Sequence, residues 1–269
     1  MKDRIVVLTG AAGGIGTAIA RRLAEAGAVL ALVDRDAAGL EALATALGEA
    51  ETSTHLFDLR GLDGLDALAE AVVEAHGGVD VLVNNAGVTV HGPLAAQSAD
   101  DVARVLGVDL HAVIEATRVF LPRLRGRPGA HVVHIASMAG LQGFPFQSTY
   151  SAAKFGLRGF GQALRPELAA MGIGCSTILP GTIATGFLRH TPSHDPASSA
   201  RLATLMERFG TSPDRVAAAV IHALRWNRAE VRVGWDAHLL ALTRWLCPPL
   251  LPWLLGVMLR RGFFGASPP

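Results

Sequence analysis

The 269 residues are half hydrophobic and 17% charged, with a formal net charge of +1 at pH 7. That balance excludes a disordered chain and leaves no electrostatic footing for a nucleic-acid partner. The two cysteines, Cys175 and Cys247, are far apart without metal-ligand spacing, and the ten histidines are scattered. No metal site is expected, and a reducing, cytoplasmic setting is. Two scarcities stand out: Tyr150 is the only tyrosine, and lysine occurs only at Lys2 and Lys154 against 22 arginines. A lone lysine falls somewhere by chance, but an ammonium is a compact three-donor group that a guanidinium does not imitate, which draws attention to position 154.

The first apolar run, Ile5–Leu8, reads as a strand that begins too early to leave room for a signal peptide. It leads through Thr9-Gly10-Ala11-Ala12-Gly13-Gly14-Ile15-Gly16 into a helix over Ile15–Ala26. Glycines let a backbone approach a pyrophosphate, and a helix N-terminus supplies amide donors and partial positive charge. Gly10, Gly14, Ile15 and Gly16 are therefore candidate dinucleotide contacts. The second strand, Val29–Val33, ends at Asp34, at the distance expected of a carboxylate that binds adenosine ribose hydroxyls. Such a carboxylate repels a 2′-phosphate, which favours NAD over NADP, although Arg35 follows directly.

A helix over Ala37–Leu47 and a strand over His55–Phe57 lead to Asp58 and Leu59. Asp58 suits either the adenine amino group or a helix cap. After a helix over Leu65–His76, the strand Val81–Val83 runs into Asn84-Asn85-Ala86-Gly87, which uses two of the chain's three asparagines. One unbroken helix is expected over Asp101–Leu124, then a strand over His131–Ile135 followed by Ser137. The helix Thr149–Met171 carries Tyr150 and Lys154 four apart, on one face. An ammonium beside a phenol lowers a pKa that is ordinarily about 10. A phenol so tuned exchanges a proton with a carbinol oxygen near neutral pH.

The strand Cys175–Leu179 runs into Pro180-Gly181. Residues 182–210, with Pro192, Pro196 and several serines, then read as a long loop or lid. The helix Pro213–Trp226 and the strand Val231–Val233 close the alternation. Strands alternating with helices predict an α/β fold: a Rossmann-like, doubly wound parallel sheet flanked by helices. Residues 1–236 form the single predicted domain, and 237–269 an apolar tail.

In this order and spacing, the glycine turn, Asp34, Asn84–Gly87, Ser137, Tyr150-x-x-x-Lys154 and Pro180-Gly181 with Thr185 resemble the short-chain dehydrogenase/reductase family. The resemblance implies hydride exchange with a nicotinamide cofactor, a small-molecule substrate, and assembly as a homotetramer or homodimer. It casts Tyr150 as general acid/base and Ser137 as the group polarising the substrate oxygen. Lys154 would hold nicotinamide ribose hydroxyls, and Pro180, Gly181, Ile183 and Thr185 the nicotinamide. Asn85, Ala86 and Gly87 would flank the cofactor. In one respect the sequence departs from the family: Asp109 stands where its active-site asparagine would be, which keeps an acceptor but adds charge near Lys154.

The implied reaction interconverts a secondary alcohol and a ketone. Two alternatives are a 3-oxoacyl thioester reductase and a catalytically silent NAD(H)-binding regulator. From Leu239 to Leu259 the only charged residue is Arg244, and Arg260 and Arg261 follow at once. Pro248, Pro249 and Pro252 argue against a membrane span. The tail fits a subunit interface, a hydrophobic substrate pocket or peripheral contact with a membrane. The last two suit a bulky steroid-, retinoid- or lipid-like substrate.

Overall fold

Apolar residues at alternate positions of a strand face opposite sides of a sheet, and here both sides need covering. In β1 (Ile5–Thr9), Val6 and Leu8 enter one core and Val7 the other. The computed structural model describes residues 1–188 and 191–262. Its other strands are β2 (Val29–Asp34), β3 (Thr52–Leu56), β4 (Val81–Asn84), β5 (His131–Ile135), β6 (Gly174–Pro180) and β7 (Glu230–Val233). All pair in parallel in the order β3-β2-β1-β4-β5-β6-β7. Chain order reverses between β1 and β4, so the crevice at their carboxyl ends is where such sheets bind ligands.

Helices α1 (Gly14–Glu25), α2 (Ala37–Leu47) and α8 (Pro213–Trp226) cover one face, burying Ile19, Leu23, Leu40, Val216 and Val220. Helices α3 (Leu65–His76), α5 (Ala112–Leu124) and α6 (Ser148–Ala169) cover the other with Val72, Phe120, Leu124 and Leu168. This is the predicted single-domain Rossmann-like arrangement.

Three expectations need correction. The helix expected over Asp101–Leu124 is two helices, α4 (Ala99–Leu106) and α5, joined by a widened π turn at Gly107–His111. Ser98 and Asp101 cap α4 reciprocally, so it starts earlier than its apolar pattern does. Second, the loop expected over 182–210 contains α7 (Pro196–Phe209), capped by the Asp195 side chain with Pro196 in its first turn. Proline there gives up only an N–H that a first turn leaves unpaired anyway. Arg189 and His190 of that stretch lie outside the described residues. Third, β3 ends at Leu56, so Asp58 lies in a loop beyond the strand rather than at its end.

The tail folds into α9 (Trp235–Leu246) and α10 (Leu250–Arg260), bent by 118°. Pro248 and Pro249 at the bend lack the N–H groups that would continue α9. Positions 263–269 lie outside the described residues.

Candidate active site

The glycine turn is built on contacts that leave no room for a side chain. Gly10 has φ +64°, and a Cβ on it would lie 2.7 Å from Ala86 Cα. A Cβ on Gly16 would lie 2.0 Å from the Gly10 carbonyl oxygen. Asn85 Nδ2 donates to the Thr9 and Gly10 carbonyls at 3.0 and 2.9 Å. Thr9 Oγ1 accepts from the Asn85 and Ala86 N–H groups at 3.0 and 3.2 Å. The end of β4 is thereby stitched to the turn. Helix α1 begins with no side-chain cap and no acid in its first turn, which leaves its positive end for an anion. Ile15 packs half-buried against the core beneath.

At the end of β2, Asp34 Oδ2 accepts from Ala12 N–H at 3.0 Å and Oδ1 from Asp36 N–H at 3.1 Å. The carboxylate is therefore fixed beside the glycine turn. Asp58 caps no helix. It accepts from Arg60 Nε and Nη2 at 2.8 and 2.5 Å, and the arginine holds its carboxyl below the usual carboxylate range. Arg35, Asp36, Leu56, Phe57, Asp58 and Arg60 line one open cleft. Leu59 is half-buried in the same loop. Sequence reasoning passed over Arg60, which acquires meaning only once Asp58 is seen to hold it.

Past the ends of β4 and β5, the structure brings Ser137, Tyr150, Lys154 and Asp109 together. Lys154 Nζ lies 2.9 Å from Asp109 Oδ2, 3.4 Å from the Ile135 carbonyl and 5.5 Å from the Tyr150 ring centre. Asp109, in the π turn, is fully buried and accepts from Val88 N–H at 2.7 Å through Oδ1. Its Oδ2 meets Lys154 Nζ as a buried ion pair. Gly87 makes room for the pair, since a Cβ there would lie 3.2 Å from Asp109 Oδ2. Ser137 Oγ accepts from Ala139 N–H at 3.1 Å and lies near enough to the Tyr150 phenol to pull its pKa down. Tyr150 packs against the buried cluster of Val90, Val105 and Ala153, with the Phe187 ring 6.4 Å away.

Electrostatics here differ from the simple phenol–ammonium picture. Burial raises the Tyr150 phenol above its ordinary pKa. Asp109 adds to that, and the opposing pulls of Lys154 and Ser137 do not outweigh the two. Burial also raises the Asp109 carboxyl, against Lys154 and the Val88 N–H. For Lys154, burial works downward, but Asp109 and Tyr150 prevail and leave the ammonium above the usual lysine range. The expected lowering of the phenol is outweighed, first by burial and then by the Asp109 charge.

The remaining predicted residues lie on the segment after β6. Pro180 ends the strand, and Gly181 N–H donates to the Val233 carbonyl at 2.8 Å. Ile183 is buried and bridges to Thr211. Thr185 closes over the glycine turn, its Cγ2 only 3.1 Å from where a Cβ on Gly14 would be. The sequence reading missed Asp236. Its Oδ2 accepts from Thr182 N–H at 2.6 Å, and a Cβ on Gly181 would lie 2.0 Å from its Oδ1. An acid one residue into α9, after a glycine at φ +97°, was the available signal.

These residues fit a nicotinamide dinucleotide: an uncapped helix start behind a glycine turn, a fixed carboxylate at one end and an ammonium beside a phenol at the other. Among the described residues, no three His, Cys, Asp or Glu side chains cluster as metal ligands.

Comparison with known proteins agrees with this geometry. Residues 4–196 match the family model described as short chain dehydrogenase. The chain is 35% identical to the oxidoreductase SadH of Mycobacterium tuberculosis over 243 residues, 88% of each protein. It is 34% identical to the ketoacyl reductase HetN of Nostoc over 247 residues, 91% of this chain and 83% of HetN. A short-chain dehydrogenase/reductase from Burkholderia phymatum in complex with NAD superposes with a TM-score of 0.85, at 29% identity over 93% of this chain and 95% of that one. The chain belongs to the short-chain dehydrogenase/reductase family of nicotinamide-dependent oxidoreductases.

Proposed function

We propose that this oxidoreductase interconverts a secondary alcohol and a ketone with NAD as cofactor, on a bulky, apolar substrate. The observation that carries the reading is the convergence of Ser137, Tyr150 and Lys154 beside the glycine turn, with Asp34 fixed at the turn's other side. The bound nicotinamide supplies or accepts the hydride. The chain's own residues move the proton. Tyr150 donates it to the carbonyl oxygen in reduction and accepts it in oxidation. Ser137 Oγ donates a hydrogen bond to the same oxygen and orients it. Lys154 binds ribose hydroxyls and favours the phenolate, and Asp109 anchors Lys154 from behind.

Asp34 supports NAD, because a 2′-phosphate at the adenosine ribose would face a carboxylate. Arg35 lies nearby, but the guanidinium of Arg60 is committed to Asp58. Apolar substrates are favoured by the surroundings of Tyr150, which packs against Val90, Val105 and Ala153 with the Phe187 ring nearby. On the family's pattern the protein works in the cytoplasm as a homodimer or homotetramer. The test is kcat/KM for NADH against NADPH with a panel of ketones. NADH should win by roughly tenfold or more, the equivalent of about 1.4 kcal/mol. Equal rates would remove the NAD assignment and implicate Arg35.

A second reading, reduction of 3-oxoacyl thioesters, is favoured by the likeness to a protein named ketoacyl reductase. An acetoacetyl thioester in the same panel decides it. A kcat/KM above that of every bulky ketone would replace the first reading.

A further inference from the structure

A surface helix ordinarily turns apolar residues inward and polar ones outward. Helix α9 carries apolar residues on both sides. Ala237 and Leu240 are buried inward. Outward, Trp235, Leu239, Leu242 and Leu246 are 71, 53, 52 and 65% exposed. Their spacing of i, i+4, i+7 and i+11 makes one continuous stripe. Trp245, 77% exposed, borders it. Helix α10 buries none of its residues, and Leu250, Trp253 and Leu254 are exposed at i, i+3 and i+4. Single exposed apolar side chains need no explanation, but contiguous stripes on two consecutive helices do.

Charge identifies the occupant. From Ala237 to Gly262 there is no Asp or Glu, while Arg244, Arg260 and Arg261 are exposed. Asp236, just before, is engaged with the Thr182 N–H. We propose that α9 and α10 together form an in-plane docking face for an anionic phospholipid bilayer. The apolar stripes enter the acyl boundary, the tryptophans sit at headgroup depth, and the arginines meet lipid phosphate.

No single helix here is long and apolar enough to cross a membrane. Twelve residues of helix reach about 18 Å, short of a hydrocarbon core of about 30 Å, and the 118° bend prevents the two helices from adding their lengths. A second copy fits less well. A two-fold face sets the same patch against itself, bringing arginines together with no acid from this segment to pair them. The tail also bounds an apolar cleft of about 610 Å³ with Phe144, Phe155, Pro252 and Leu255, but Ser137, Tyr150 and Lys154 do not line it. The outward residues Trp235, Leu239, Leu242, Leu246, Leu250, Trp253 and Leu254 do not line that cleft either.

The test uses the full chain with extruded vesicles of phosphatidylcholine alone or mixed with phosphatidylglycerol, read by co-sedimentation. Binding to the anionic vesicles should exceed binding to the neutral ones at least tenfold and fall as salt rises. Leu242→Glu and Trp253→Glu, both at exposed positions, should abolish it while leaving NADH turnover and the sedimentation coefficient unchanged. Absence of binding to anionic vesicles overturns the proposal, as does binding that survives both substitutions. If the variants instead dissociate an oligomer, a second copy covers the face and the proposal also fails. Should either variant fold poorly, the native protein still decides. Brominated phosphatidylglycerol should quench its tryptophan emission, and unchanged emission refutes the docking face.

Discussion

Two aspartates at opposite edges of the sheet have nearly the same ligands and behave in opposite ways. Asp80, at the amino edge just before β4, accepts from Ile5 N–H at 2.9 Å and from Arg127 Nε at 2.7 Å. Asp109, beyond the carboxyl edge, accepts from Val88 N–H at 2.7 Å and faces Lys154 Nζ at 2.9 Å. Burial pushes Asp80 up, but Arg127, Ile5 and Arg4 outweigh it and hold the carboxyl below its usual range. For Asp109, burial wins and the carboxyl rises. The difference lies in access to water. Arg127 has 36% of its side chain exposed, whereas Lys154 has 4% and Asp109 none. A half-solvated pair ties strands together at little desolvation cost; a dry pair holds charge that nearby chemistry can feel.

The comparison separates stability at one edge from chemistry at the other, and each half can be broken. The largest expected effect is at the carboxyl edge. Tyr150→Phe should lower kcat by about 10²- to 10⁴-fold, because the ring remains and the proton donor is lost. Cofactor binding and Tm should stay as they were; a Tm loss would mean the phenol is structural.

The next effect is on folding. Burial holds His131 down to about 4 and His134 down to about 3. Folded pKa values below the unfolded value mean that the unfolded chain takes up protons first, so stability is complete above about pH 6.5 and lost as pH falls. Each histidine should cost about 2 kcal/mol by pH 5. Urea unfolding between pH 7 and 5 measures this, and a flat profile would contradict the buried neutral imidazoles.

Asp80→Asn comes third. It should cost about 1–3 kcal/mol of stability, at the lower end because water screens Arg127, with kcat unchanged. Loss of turnover in a stable protein would erase the distinction between the two edges.

The smallest effect sharpens the contrast. Asp109→Asn removes a negative charge that raises the Tyr150 phenol, so the phenolate forms at lower pH. Alcohol oxidation needs the phenolate, and its rate should climb with pH in both proteins, but earlier in the variant. Activity at the optimum should change by less than about tenfold. Coincident pH profiles would show that Asp109 does not reach the phenol.

Much of this architecture was legible in the residues because period and punctuation agreed. Ile5–Thr9, the glycines behind it and Asp34 announce a strand, a turn and a carboxylate at the end of the next strand by local chemistry alone. Where the reading failed, a local signal was outvoted. Pro196 and its neighbouring serines suggested a loop, although Asp195-Pro196 is also how a helix begins. Other failures had no local signal. Arg60 matters through Asp58, and Asp236 through Gly181, 55 residues earlier in the sequence. The substitution at 109 was visible, but its effect was not. That depends on the absence of water around Lys154, a property of the packed interior rather than of the sequence around it.

The π turn at Gly107–His111 carries one residue more than an α-helix would use. Its consequence concerns chain length rather than side chains. Deleting a single residue there would let α4 and α5 run on as one regular helix. Everything on one side of the cut would then rotate by about 100° relative to the other. With α5 held in place by the buried Phe120 and Leu124, it is α4 with its buried Val105, and Asp109 in the turn, that would swing out of register with Lys154. A one-residue deletion in an otherwise ordinary helix would thus retune the active site more than most substitutions near it, and it would do so while making the helix more regular.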